Sequence, residues 1–89
     1  MGFMRITNNE AESRYEAHED DELVGFLDYR RVGESVLLVH TESLREGRGI
    51  GSKLAEFALH DLENDKVTVT CPFVKRYLEK HPDPRVTVR

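Results

Sequence analysis

Eighty-nine residues, 38% of them hydrophobic and 34% charged, suffice for one domain with a modest core. The net charge of −4, with no clustered basic surplus, speaks against nucleic acid as a partner, and no apolar run approaches the ~20 residues of a membrane span. A single cysteine, Cys71, excludes an internal disulfide framework, and His18, His40, His60 and His81 have no ligand-like spacing to it or to one another, so no metal site is expected.

The first residues, MGFMRITNNE, lack the apolar stretch of a signal peptide. Ile6 stands where a myristoylation signal needs Ser or Thr, so the chain reads as cytoplasmic. Ser13–His18 is a short candidate strand with Tyr15 and Ala17 on one face. The acidic run Glu19, Asp20, Asp21 and Glu22 reads as a solvated turn. In Glu22–Arg31, Leu23, Gly25, Leu27 and Tyr29 alternate with Val24 and Phe26, as in a strand covered on both sides. Ser35–Thr41 is nearly all apolar and suits a central strand. Short turns join these three strands into an antiparallel meander.

At Gly51 the period changes. Ile50, Leu54, Phe57, Ala58 and Leu62 recur at steps of three and four, which predicts an amphipathic helix ending near Asn64. Lys66–Cys71 alternates again, with Val67, Val69 and Cys71 on one face. Pro72 suits the first turn of a second helix, which His81-Pro82 stops after Lys80. Val86 and Val88 fit a short edge strand or a frayed tail. The order is β-β-β-α-β-α in one domain spanning residues 1–89, an α/β fold of the α+β kind with a mixed sheet. The strand–helix–strand step makes its two strands parallel when they share that sheet.

Between the central strand and the first helix lies Arg45-Glu46-Gly47-Arg48-Gly49-Ile50-Gly51-Ser52. Without Cβ atoms, backbone N–H groups converge on an anion that approaches closely, and the helix start adds unpaired donors and partial positive charge. A glycine costs about 1 kcal/mol in a helix relative to alanine, so three in five residues argue for a purpose. Gly51-Ser52-Lys53 reverses the order that a Walker loop needs, and the glycine spacing and antiparallel upstream sheet do not fit a Rossmann fingerprint. A diphosphate is the natural ligand, and a glycine-rich turn without ligand is the bland alternative.

The stretch Glu46–Leu54 resembles the acetyl-CoA pyrophosphate loop of the GNAT superfamily of N-acetyltransferases, in which Gln or Arg is followed by two residues, Gly, one residue, and Gly or Ala. Gly49 and Gly51 match the small positions, and Glu46 departs from the first. His40-Thr41-Glu42, Cys71-Pro72-Phe73 and His81-Pro82 resemble a short, stand-alone clade of that superfamily, and the likeness runs from about Ile6 to Pro84. It implies a GNAT-like sheet without the two N-terminal helices of larger members, which leaves the acceptor side open. It also implies acetyl-CoA (coenzyme A) as ligand. Thr41, Glu42 and Leu44 would lie beside the acetyl group, and Gly47, Arg48, Gly49, Ile50, Gly51 and Ser52 beside the phosphates.

Acetyl transfer requires a polarised carbonyl, a deprotonated amine and a proton for the thiolate. Tyr77 falls where many relatives carry a tyrosine that protonates the coenzyme A sulfur, and a core aromatic is its alternative. Cys71, at a strand end and helix start, is expected to line the site, with a nucleophile or a small buried residue as alternatives. His40 is a candidate base or a satisfied buried histidine, and Glu42 a candidate base or a solvated loop residue. The expected activity is N-acetyl transfer to an amine on a small molecule or a protein. The alternatives are a non-catalytic coenzyme A binding or regulatory module, and an interaction domain with a vestigial loop.

Overall fold

The protein is described as a computed structural model covering residues 3–89. One six-stranded sheet carries the strands in chain order. These are β1 (Met4–Asn9), β2 (Arg14–Glu19), β3 (Glu22–Val32), β4 (Ser35–Ser43), β5 (Lys66–Val69) and β6 (Val86–Val88). Helix α1 (Ile50–Asp61) joins β4 to β5, and α2 (Pro72–Lys80) joins β5 to β6. The first four strands are antiparallel, while β5 runs parallel to both β4 and β6.

The expected mixed sheet and both helices are present, and the tail adds the edge strand β6. Strand β1 is not among the expected elements. Only Met4 and Ile6 supply an apolar alternation before Thr7, Asn8 and Asn9, because an edge strand needs only half a face. Between β1 and β2 stands one 3-10 turn, Glu10–Glu12, in place of a helix pair. Helix α1 ends at Asp61, three residues before the expected Asn64, and β5 ends at Val69, two before Cys71.

Both helices cover one face of the sheet. Tyr15 pairs with Leu27, Ala17 with Gly25, Tyr29 with Leu38, Val36 with Val67 and Leu38 with Val69, so these side chains share a face. With Leu54 and Ala58 of α1 and Val74 and Leu78 of α2 they form the core. Strand β3 places Val24 there as well. Ala17 faces Gly25 while His18 faces Leu23, so Val24 is an extra residue bulged from the ladder and fully buried. Leu23, expected on the Gly25–Leu27 face, pairs with His18 and is only half-buried.

The other face carries Arg14, Glu16, Phe26, Asp28, His40 and Glu42. Arg14 lies 4.8 Å over the Phe26 ring and donates to Glu16 at 2.6 Å; Asn9 donates to the same carboxylate at 3.1 Å. Burial opposes ionisation of Glu16, but these donors outweigh it and hold its pKa below the ordinary carboxylate value.

Candidate functional site

The chain from β4 into α1 makes the glycine-rich loop. Gly47 and Gly49 have φ of +72° and +65°, which side chains rarely adopt, and a Cβ on either would meet nothing within 4 Å. Gly49 is the N-cap of α1 and has no side-chain oxygen to satisfy the first turn. Its carbonyl accepts from Lys53 N at 3.0 Å. The N–H groups of Gly47 to Ser52 have no acceptor among the described residues. They form a row of donors at a helix start beside open space, the arrangement that holds an anion.

Gly51 plays a different part. It lies inside α1, and a Cβ there would come within 2.6 Å of the Phe73 ring of α2. Its missing side chain brings the two helices together, while its N–H belongs to the first helical turn. Ile50, 1% exposed, pins that turn over Gly25 of β3, where a Cβ would stand 2.6 Å from Ile50 Cγ2 and 3.0 Å from Glu42 O.

The loop arginines point to the hairpin between β2 and β3. Arg48 pairs with Glu19 and Arg45 with Glu22. Asp20 and Asp21 both have positive φ, as a two-residue type I′ turn requires, so they do make the expected turn. Glu19 and Glu22, however, are not simply solvated: each holds an arginine. Their partnership was legible only as equal spacing in Glu-Asp-Asp-Glu and Arg-Glu-Gly-Arg.

Beyond Leu38, β4 and β5 part. Leu38 O accepts from both Thr70 N (3.1 Å) and Cys71 N (3.0 Å), which ends the ladder, while β4 runs on to Ser43. Strand β4 is bulged at Val39, since Tyr29 faces Leu38 and Asp28 faces His40. Leu44 N donates to Val24 O of β3 at 2.8 Å. By alternation, the N–H groups of Thr41 and Ser43 turn the other way, into the gap that β5 has left.

Thr41 and Cys71 meet at this gap, with Oγ1 and Sγ 3.3 Å apart. Cys71 is 1% exposed and belongs to the core cluster, so its thiol is covered. His40 and Glu42 lie on the opposite face of β4, with Nε2 3.1 Å from Oε1. His40 is exposed, and among the described residues the side-chain hydrogen-bond partner of Cys71 is Thr41 rather than a histidine. Tyr77 is half-buried and stacks on His81, with ring centroids 4.6 Å apart. Burial, and then the charge of Glu56 on α1, raise its pKa. The contribution of Glu56 was not visible in the sequence, because it arises from the packing of α1 on α2.

A cleft of about 830 Å³ opens on the far side of α1, between that helix and β1. Met4, Ile6 and Phe57 supply its apolar surface, Arg48 and Lys53 its cations, and Glu19, Glu56 and Asp61 its carboxylates. It is separate from the gap between β4 and β5. No helix among the described residues is long and apolar enough to cross a membrane.

A family model described as GCN5-related N-acetyl-transferase matches residues 14–86. No curated protein matches the chain.

Proposed function

The chain belongs to the GCN5-related N-acetyltransferase family, and on that premise we propose that it binds acetyl-CoA and transfers the acetyl group to an amine. The observation that carries this reading is the row of uncommitted N–H donors from Gly47 to Ser52, on a backbone whose two positive-φ glycines leave the approach clear. A diphosphate fits these donors. Thr41, Glu42 and Leu44 lie on the route from the loop to the gap beside β4, where the thioester would reach Thr41 N–H.

The chemistry at that gap is direct. The amine nitrogen attacks the thioester carbonyl, the C–S bond breaks, an amide forms, and the amine proton and the thiolate must be dealt with. Thr41 N–H is a donor for the carbonyl oxygen as it gains charge. Tyr77, its pKa raised, keeps its proton at neutral pH and serves as the acid for the departing thiolate. Cys71, covered and partnered by Thr41 rather than a histidine, serves as a wall of the site. His40 and Glu42 stand ready as base on the open face of β4, where the acceptor is a small amine or a protein.

Calorimetry with acetyl-CoA tests binding. Release of free thiol on adding an amine, with a mass gain of one acetyl group on that amine, tests transfer. Binding should also stabilise the fold, by about 2.7 kcal/mol at 100 times the dissociation constant. Binding without thiol release favours the non-catalytic coenzyme A module, a reading supported by the single 3-10 turn where larger members wall the acceptor. No calorimetric signal at millimolar acetyl-CoA refutes the proposal.

A further inference from the structure

We infer that Glu19 and Glu22 are positioning residues for the diphosphate loop: they act through Arg48 and Arg45 to hold Gly47 and Gly49 in the donor-presenting conformation. The inference rests on the proposed acetyl-CoA site and assigns its loop arginines a different task. An arginine in such a loop is ordinarily read as a phosphate ligand. Here both guanidinium groups are already engaged by carboxylates.

The loop needs anchoring. Two glycines with positive φ give it backbone freedom, and its backbone is tied at its ends alone. Leu44 N–H reaches Val24 O, Ser43 Oγ donates to Arg45 O at 2.7 Å, and Gly49 O accepts from Lys53 N. Between those points, the ties to the rest of the protein among the described residues are the pairs Arg45–Glu22 and Arg48–Glu19. Two residues separate the arginines and two separate the carboxylates, so the two pairs form together.

The hairpin is shaped to receive them. Glu19 and Glu22 are direct partners across the β2–β3 ladder. Like charges so placed repel, and such a pair weakens a hairpin unless cations lie against it. The tight turn through Asp20 and Asp21 fixes the spacing of the two carboxylates. The Glu19 side chain is only 13% exposed, so water screens its pair with Arg48 less than it screens the Arg45–Glu22 pair, where Glu22 is 65% exposed.

The two roles for Arg48 predict opposite results. If the carboxylates only neutralise a phosphate ligand, Glu19→Gln frees Arg48, removes a negative charge near the diphosphate and tightens binding. If they position the loop, Glu19→Gln weakens coenzyme A binding about three- to fivefold, the scale of one partly exposed ion pair. Arg48→Ala weakens it by a similar factor, and the double variant loses no more than either alone.

The decisive experiment has two readouts on the full chain. The first is the {1H}–15N heteronuclear NOE of the Gly47 and Gly49 amides without ligand, in the native protein, Glu19→Gln, Glu22→Gln and the double variant. The NOE is expected to fall in each variant, most in the double, and to recover partly in Glu19→Asp. Native values in the double variant, with a native circular dichroism spectrum, overturn the inference. The second is the calorimetric Kd for coenzyme A, where tighter binding by Glu19→Gln also overturns it. If the native protein binds no coenzyme A, the proposed function fails, while the NOE still decides whether the hairpin orders the loop.

Discussion

Replacing Gly25 by alanine should destabilise the protein by a route that involves no functional group. The added Cβ would stand 2.6 Å from Ile50 Cγ2, 3.0 Å from Glu42 O and 3.4 Å from Leu54 Cδ1. Carbon atoms prefer about 3.5–4.0 Å, so Ile50 must retreat by roughly 1 Å. It has nowhere to go, being 1% exposed, and the second obstacle is backbone of the neighbouring strand. Overpacking of this kind costs about 1–3 kcal/mol. Removing a glycine from the unfolded chain returns about 0.4–1 kcal/mol. The net loss is about 1–2 kcal/mol, which for a domain of this size lowers Tm by roughly 5–15 °C. Thermal melting followed by circular dichroism, without ligand and at fixed concentration, measures it. Because Ile50 opens α1, the displacement reaches the donor row, so coenzyme A affinity should fall along with Tm. A Tm for Gly25→Ala equal to or above the native value would refute the argument that this contact seats the helix.

Gly49→Val places a β-branched residue at φ +65° in front of the donor row, so it should abolish coenzyme A binding in calorimetry while the protein stays folded; normal binding would put the diphosphate elsewhere. Cys71 should react with iodoacetamide far more slowly than a free thiol, because it is 1% exposed, and Cys71→Ala should still release thiol from acetyl-CoA in the presence of an amine; loss of transfer with binding retained would make it more than a wall. Burial, then the hydrogen bond to Asp61 (2.8 Å), push the Tyr15 pKa above its ordinary value. The unfolded chain therefore gives up this proton first, so stability declines as pH rises past about 10. Tyr15→Phe should flatten that alkaline decline in denaturant titrations, and an unchanged slope contradicts the assignment. Glu16 has the opposite sign. Its lowered pKa contributes stability above the ordinary carboxylate range that is lost as pH falls through the folded-state value, so Glu16→Gln should shallow the acid limb of the stability curve.

Most elements were legible because their signals are local. Ile50, Leu54 and Ala58 recur with the helical period, Val36 and Leu38 sit in a continuous apolar run, and Pro72 and His81-Pro82 bracket the second helix. The glycines before α1 marked the loop for the same reason, since positive φ and close approach each require glycine at a given position. Strand β1 escaped because its partner strand supplies the order that its own polar residues do not. The bulge at Val24 escaped because register is a property of two strands, and one extra residue reverses which neighbour enters the core.

At the site, the chain order alone determined that a donor-rich loop precedes a helix and that a cysteine stands at the start of the second helix. It could not determine which face each side chain meets. His40 and Thr41 are adjacent in sequence, yet alternation sends His40 to the open face and Thr41 to Cys71 across the gap. Gly49 and Gly51 look alike in the motif, yet one faces open space and the other the Phe73 ring. The loop arginines were visible as charges, while their carboxylate partners lie twenty-three and twenty-nine residues away. Spacing along the chain sets dihedral preference and periodicity; contact between distant residues depends on how sheet and helices pack, and only the tertiary structure decides that.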